Sequence, residues 1–316
     1  MAVYQTYAAK GNREDLSDII DNVSPEETPI YSSIEETKAT ATFHEWQTDK
    51  LRAANKDNAA VEGADATTPS RAATYRLGNY TQIFEDSFSI SGTQEKTDKA
   101  GRKSEISYQL MKTGKELRTD VEASFSQNNA AVAGNASTAR KSAGLETFAW
   151  EIKNHGSGGS TTSVTAGAPT TAPTDGTQRA FTETLLKDVL QQGFNVGARY
   201  KTVFVGGTQK QTMSGFAGLA ASRLSVNQSK KGQGVIVGAA DIYISDFGDL
   251  AIVPTSHMRS RTALVLDPSK VRRAVLRKWE TTPLAKTGDA EKRQMLAELC
   301  LEVKNPRGIA KVADLS

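Results

Sequence analysis

The chain's strongest potential metal ligands are three histidines, His44, His155 and His257, and one cysteine, Cys300. They lie far apart, and none has a ligand pair nearby at the spacing of a zinc or iron site. They read as structural or surface residues, and no metal or other cofactor is expected. A single cysteine excludes an intrachain disulfide and fits a reducing cytosol. Gly206-Gly207-Thr208-Gln209-Lys210 sits between an expected strand and helix, where backbone N–H groups can hold phosphate. It lacks the Gly-x-x-x-x-Gly-Lys-Ser/Thr spacing, and a tight turn explains it equally. No Gly-x-Ser-x-Gly elbow is present, and no Ser, Asp or Glu falls into a legible triad. Catalysis finds no foothold here, so the chain is not expected to be an enzyme.

The residues that remain are suited to binding. Arg259, Arg261, Lys270, Arg272, Arg273, Arg277 and Lys278 make the densest basic stretch. It can face nucleic-acid phosphates without reading bases, or pair with carboxylates across a subunit contact. The second reading is slightly preferred. Leu16, Ile19 and Ile20, with Trp46 and Leu51, are spaced as anchors for a neighbouring surface, although the upstream three can equally dock on their own domain.

These residues are carried by a chain of 316, long enough for one elaborate domain or two modest ones. Its composition is 38% hydrophobic and 24% charged, as in ordinary folded proteins. A formal charge of +3 is too small for a dedicated nucleic-acid binder. No stretch approaches the ~20 apolar residues of a membrane span, and the first residues do not read as a signal peptide.

Residues 1–38 read as an arm, with a short helix around 13–21 broken by Ser24-Pro25 and Thr28-Pro29. Alternation predicts two long strands, at 39–50 and 75–91, bracketing a polar span too long for a hairpin turn. A ribbon of such strands would project ~40 Å and needs outside support. One helix is expected over 94–129, loosened near Gly101, with Ile106, Leu110, Gly114, Leu117, Val121 and Phe125 in one stripe. At ~1.5 Å per residue it would be a strut of ~50 Å. Residues 154–178 are a low-complexity linker or loose loop.

A second, α+β body follows. It comprises a helix at 182–192, strands at 202–206, 234–245 and 250–254, and a short helix at 209–217. Strands at 271–280 and 291–304 come next, the latter with Met295, Ala297, Leu299, Leu301 and Val303 on one face. The turn at Asn305-Pro306-Arg307-Gly308 is expected to send 309–315 back antiparallel as a long terminal hairpin.

In this order of parts the chain resembles the Hong Kong 97 fold of tailed-phage capsid proteins over nearly its full length. More specific are Arg13-Glu14-Asp15-Leu16-Ser17-Asp18 with Ser24-Pro25-Glu26-Glu27-Thr28-Pro29, Val203-Phe204-Val205-Gly206-Gly207, and the run from Pro283 to Arg293. These segments are similar to a recurrent family of phage major capsid proteins. The resemblance implies an N-terminal arm (1–38), an extended loop (39–92), a peripheral domain with spine helix and linker (93–180), an axial domain (181–285) and a peripheral terminal hairpin (286–316).

It further implies copies joining as pentamers and hexamers of an icosahedral head around double-stranded DNA, bound without sequence preference. The expected setting is a virion assembled in the host cytoplasm, with no membrane. A separate scaffolding protein, a portal and decoration proteins are candidate partners. An encapsulin-like compartment shell is the alternative. Some members of the fold join a loop lysine to a neighbour's asparagine; Lys50 and Lys56 lie in the right region, but no matching motif is legible.

Overall fold

The computed structural model describes residues 24–63, 65–66, 71–161, 164, 166–216 and 241–316. In chain order its elements are α1 (Pro29–Ser33), β1 (Glu35–Lys38), β2 (Phe43–Thr48), β3 (Tyr75–Tyr80), β4 (Gln82–Ser91), α2 (Gly92–Lys96), α3 (Glu105–Ser126), α4 (Leu145–Phe148) and β5 (Ile152–Asn154). There follow α5 (Glu183–Asn195), β6 (Thr202–Val205), α6 (Gly207–Ser214), β7 (Ile242–Ser245), β8 (Gly248–Pro254), β9 (Ala263–Leu266), β10 (Val271–Pro283), β11 (Ala290–Val303) and β12 (Ile309–Val312). The expected helix at 13–21, with Leu16, Ile19 and Ile20, lies outside the described residues.

Two main sheets organise the chain. The first, in order β1-β10-β11-β4, is built on the long β10–β11 hairpin. Alternation in β11 buries Ala297, Leu299, Leu301 and Val303, which pack with Leu117, Val121 and Phe125 of α3 in one core. The second sheet, β5-β12-β9-β6-β8-β7, supports a second core with Leu186, Val189 and Leu190 of α5. Three of its four interior strands, β6, β9 and β12, are buried at every position, as strands covered on both faces must be.

Three sequence expectations need correction. The 94–129 helix is two helices. Ser104 caps α3 by accepting from the Ser107 N–H at 3.2 Å. A carboxylate oxygen of Glu95, on α2, accepts from Glu105 and Ile106 at 2.9 and 3.3 Å. The first turn of α3 is thus satisfied from outside, and Gly101 reverses the chain before it at φ +75°. The 22-residue α3 spans ~33 Å at ~1.5 Å per residue, shorter than expected.

The projecting ribbon is also shorter. β2 pairs with β3 over six residues, then Thr81 donates its N–H to the Thr42 carbonyl and the chain turns. β4 leaves the ribbon to pair antiparallel with β11. Half of the expected second strand therefore belongs to the body.

The terminal hairpin does not form between 291–304 and 309–315. Asn305 accepts from the Arg307 N–H at 3.0 Å and opens a short 3-10 turn, Pro306–Gly308, that carries the chain into the other sheet. There β12 lies between β5, parallel, and β9, antiparallel. Ile309, Ala310 and Val312 are fully buried, and that burial decides their partner.

Candidate functional site

Polar side chains that bond across long sequence separations mark where the chain's extensions are fastened. The ribbon is fastened at its base. Asn79, fully buried at the β3 position facing β11, donates to Ser142 Oγ at 3.0 Å and to the Leu301 carbonyl at 2.8 Å. Its Oδ1 accepts from the Ala143 and Tyr80 N–H groups, so both ends of the amide are satisfied. His44 and Glu302 meet at 3.0 Å, joining β2 to β11. Beyond β2, Lys50 bonds Glu151, which also accepts from Arg307 Nε at 2.9 Å. Burial lowers the Lys50 pKa, but the bonds and charges of Glu151 and Tyr75 together outweigh it, so the amine is held above its ordinary value as an ammonium.

The arm is fastened by charges at both ends of one helical turn. Glu122, fully buried on α3, accepts from the N–H groups of Ile30 and Tyr31 at 3.0 and 2.7 Å. Arg273 on β10 donates to the carbonyls of Tyr31 and Ile34 at 2.6 and 3.2 Å and stacks on the Tyr31 ring. An anion at the N-terminus and a cation at the C-terminus match the free backbone groups there. Burial pushes the Glu122 carboxyl above its ordinary pKa, and the two N–H bonds oppose that push.

The low-complexity tract is fastened too, contrary to its expected looseness. Asp314, buried with φ +60°, accepts from the N–H groups of Gly156 and Gly176 at 3.0 and 2.7 Å and from Arg261 at 3.1 Å. A Cβ on Gly176 would lie 2.5 Å from the Gly159 nitrogen, so glycine is required there. Beside this knot Arg259 spans Glu146 and Asp175. The Lys311 ammonium, buried in the same network, donates to the Glu146 carbonyl at 3.2 Å. Burial lowers Lys311 to about 8 and raises Glu146, whose charge Lys311 and Arg259 partly stabilise.

The seven basic candidates do not gather into one free face. Arg259 and Arg261 belong to the knot just described. Arg272 and Arg273 pair with Glu35 and Glu36 of β1, and Arg277 pairs with Glu298. Lys270 and Lys278 remain exposed. Of the anchors, Trp46 turns inward, its ring 6.0 Å from that of Phe148. Leu51 is 95% exposed. Sequence reasoning missed Glu122, Asn79 and Asp314. Glu122 alone left a signal, an acid next to Val121 within the buried stripe.

Over nearly its whole length the backbone follows shell proteins. It matches the capsid asymmetric unit of Cyanophage A-1(L) with a TM-score of 0.62 at 12% identity, over 96% of this chain and 97% of that one. The holo-SrpI encapsulin complex from Synechococcus elongatus matches with 0.55 at 10% identity, over 100% and 97%. These likenesses define the class as the Hong Kong 97 shell fold. The chain belongs to the SU10 major capsid protein family, which it matches over residues 3–316. It is also 33% identical over 120 residues to the major capsid protein of Escherichia phage Phieco32. That stretch takes 38% of this chain and spans about a third (34%) of the relative's length. As a major capsid protein the chain is a structural part of a phage virion, a shell subunit that associates with copies of itself, and not an enzyme.

Proposed function

We propose that copies of this chain form pentamers and hexamers that tile a closed icosahedral head around double-stranded DNA, assembled in the host cytoplasm. The observation that carries this reading is the span beyond the ribbon. From Leu51 to Ala60 every residue is exposed, and Leu51 and Val61 are 95% and 80% exposed, yet the base of the ribbon is fixed by Asn79 and His44. A firmly rooted polar extension with bare apolar residues gains order by lying on a neighbour.

In this reading residues 1–38 are the arm and 39–80 the extended loop, the sheet of β1, β10, β11 and β4 with α3 is the peripheral domain, and the six-stranded sheet with α5 is the axial domain, with β12 joining it from beyond the 181–285 expected for it. The basic residues 259–278 act mainly within and between subunits, because their arginines are already paired with carboxylates. Lys270 and Lys278 keep exposed charges for an acidic partner or for DNA phosphates. A scaffolding protein, a portal and decoration proteins would complete the particle.

Electron microscopy of the purified chain, alone and with a scaffolding candidate, tests this reading. Shells, tubes or capsomer rings are expected, and a chain monomeric under every assembly condition would refute it. The likeness to an encapsulin supplies the competing reading, which predicts protein cargo where the head reading predicts nucleic acid, a difference visible in the absorbance ratio of the particles.

A further inference from the structure

Between the base of the ribbon and the six-stranded sheet lies a cleft of about 490 Å³, lined by Lys50, Leu51, Val196, Arg199, Lys270 and Arg307 among others. Its charges do not balance. Lys50 and Arg307 share the single carboxylate of Glu151. Arg199 and Lys270 are exposed and make no ion pair among the described residues. Of the lining acids, Asp267 lies 3.6 Å from Lys201, outside the lining, and Asp49, which accepts the Lys50 backbone N–H at 2.8 Å, leaves one negative charge against the cations. The cleft is therefore cationic, with a bare leucine and the exposed Val196 at its edge.

The sequence contains a segment of opposite character. Residues 13–21 carry Glu14, Asp15, Asp18 and Asp21 against one arginine, with Leu16, Ile19 and Ile20 at helical spacing. We propose that the cleft receives residues 13–21 of a second copy of this chain, acids against Arg199 and Lys270, apolar residues against Leu51 and Val196. This deepens the shell reading and rests on it. The path of the arm argues for a second copy. Upstream of α1, Glu26 bonds Lys115, at the middle of α3 and nearer its N-terminus than Glu122, at 2.7 Å. The C-terminal end of α3, at Ser126 and Gln127, bonds the His257 carbonyl next to the six-stranded sheet. From Ile30 back to Glu26 the chain thus leads away from the sheet that borders its own cleft.

The test uses full-length chains in two differently tagged populations, one Leu51→Cys and one Ile19→Cys, assembled as an equal mixture and oxidised. Native Cys300 is buried and does not compete. A mixed-tag disulfide dimer is expected, and shells formed in normal yield without it would overturn the proposal. If the cysteines block assembly, a labelled peptide of residues 11–23 is titrated against unassembled wild-type chain and an Arg199→Glu/Lys270→Glu variant. Binding should weaken by about tenfold in the variant and fall with added salt. No binding to wild type, or equal binding to both, would overturn the cleft assignment. A wild type that forms no shells counts against the shell reading instead, and the peptide titration still decides the cleft.

Discussion

Replacing Glu122 by glutamine should loosen the arm while leaving the rest of the subunit folded. The carboxylate accepts from two adjacent backbone N–H groups, at 3.0 and 2.7 Å, and from the Thr255 hydroxyl at 3.3 Å. A glutamine keeps one acceptor oxygen and turns an NH₂ donor toward the second N–H. Hydrogen bonds to a charged group are worth ~1.5–3 kcal/mol, and an orphaned buried donor costs ~1–3 kcal/mol. Against this, removing a buried charge recovers part of the desolvation that raises the Glu122 pKa. A net loss of ~2 kcal/mol is expected, concentrated in the segment Glu122 holds. That corresponds to about 30-fold faster hydrogen exchange at residues 29–34. Exchange in β11, which has no contact with the replaced bonds, should change less than about threefold. Arm exchange within threefold of wild type, or uniform acceleration throughout the chain, would refute the reasoning.

Two further outcomes follow from the knot at Asp314. Lys311, lowered to about 8 against an unfolded value of ~10.4, binds fewer protons folded than unfolded between those values. Its contribution to stability should therefore rise with pH across that window, by up to ~3 kcal/mol. In urea denaturation Lys311→Met should be the more stable protein at pH 7, and its advantage should shrink by pH 10; a constant gap would contradict the assignment. Asp314→Ala should lose ~3 kcal/mol and open residues 154–179 to limited proteolysis, whereas Asp314→Asn, which tolerates the left-handed backbone, should protect the tract better. Equal cleavage of both variants would show that the tract is held by other contacts.

Where burial follows a simple period, the sequence was readable. The stripe of α3 and the alternating face of β11 meet in one core, as their spacing required. β9 carried no alternation because Ala263, Leu264, Val265 and Leu266 are buried on both faces. The fate of 309–312 was unreadable for a related reason. Its apolar run fits an interior strand of either sheet, and only the Pro306 turn and the empty place between β5 and β9 decide which. The exposed span after β2 was legible from its polarity and length. The fastenings were not, because each depends on one polar residue and a backbone far away in sequence: Glu122 on Ile30, Asn79 on Leu301, Asp314 on Gly156.

The position of β12 bears on how the subunit is made. It fills an interior place in the six-stranded sheet, yet it is synthesised after every other strand of that sheet. Until it arrives, β5 has no neighbouring strand and β9 exposes one edge, with all four β9 side chains destined for burial. A chain cut short by even a few residues before Ile309 would lack the piece that joins the early strand to the late ones. Synthesis through β12 thereby becomes a condition for a finished sheet, and a chain that stops short of it has no finished sheet to bring to the growing shell.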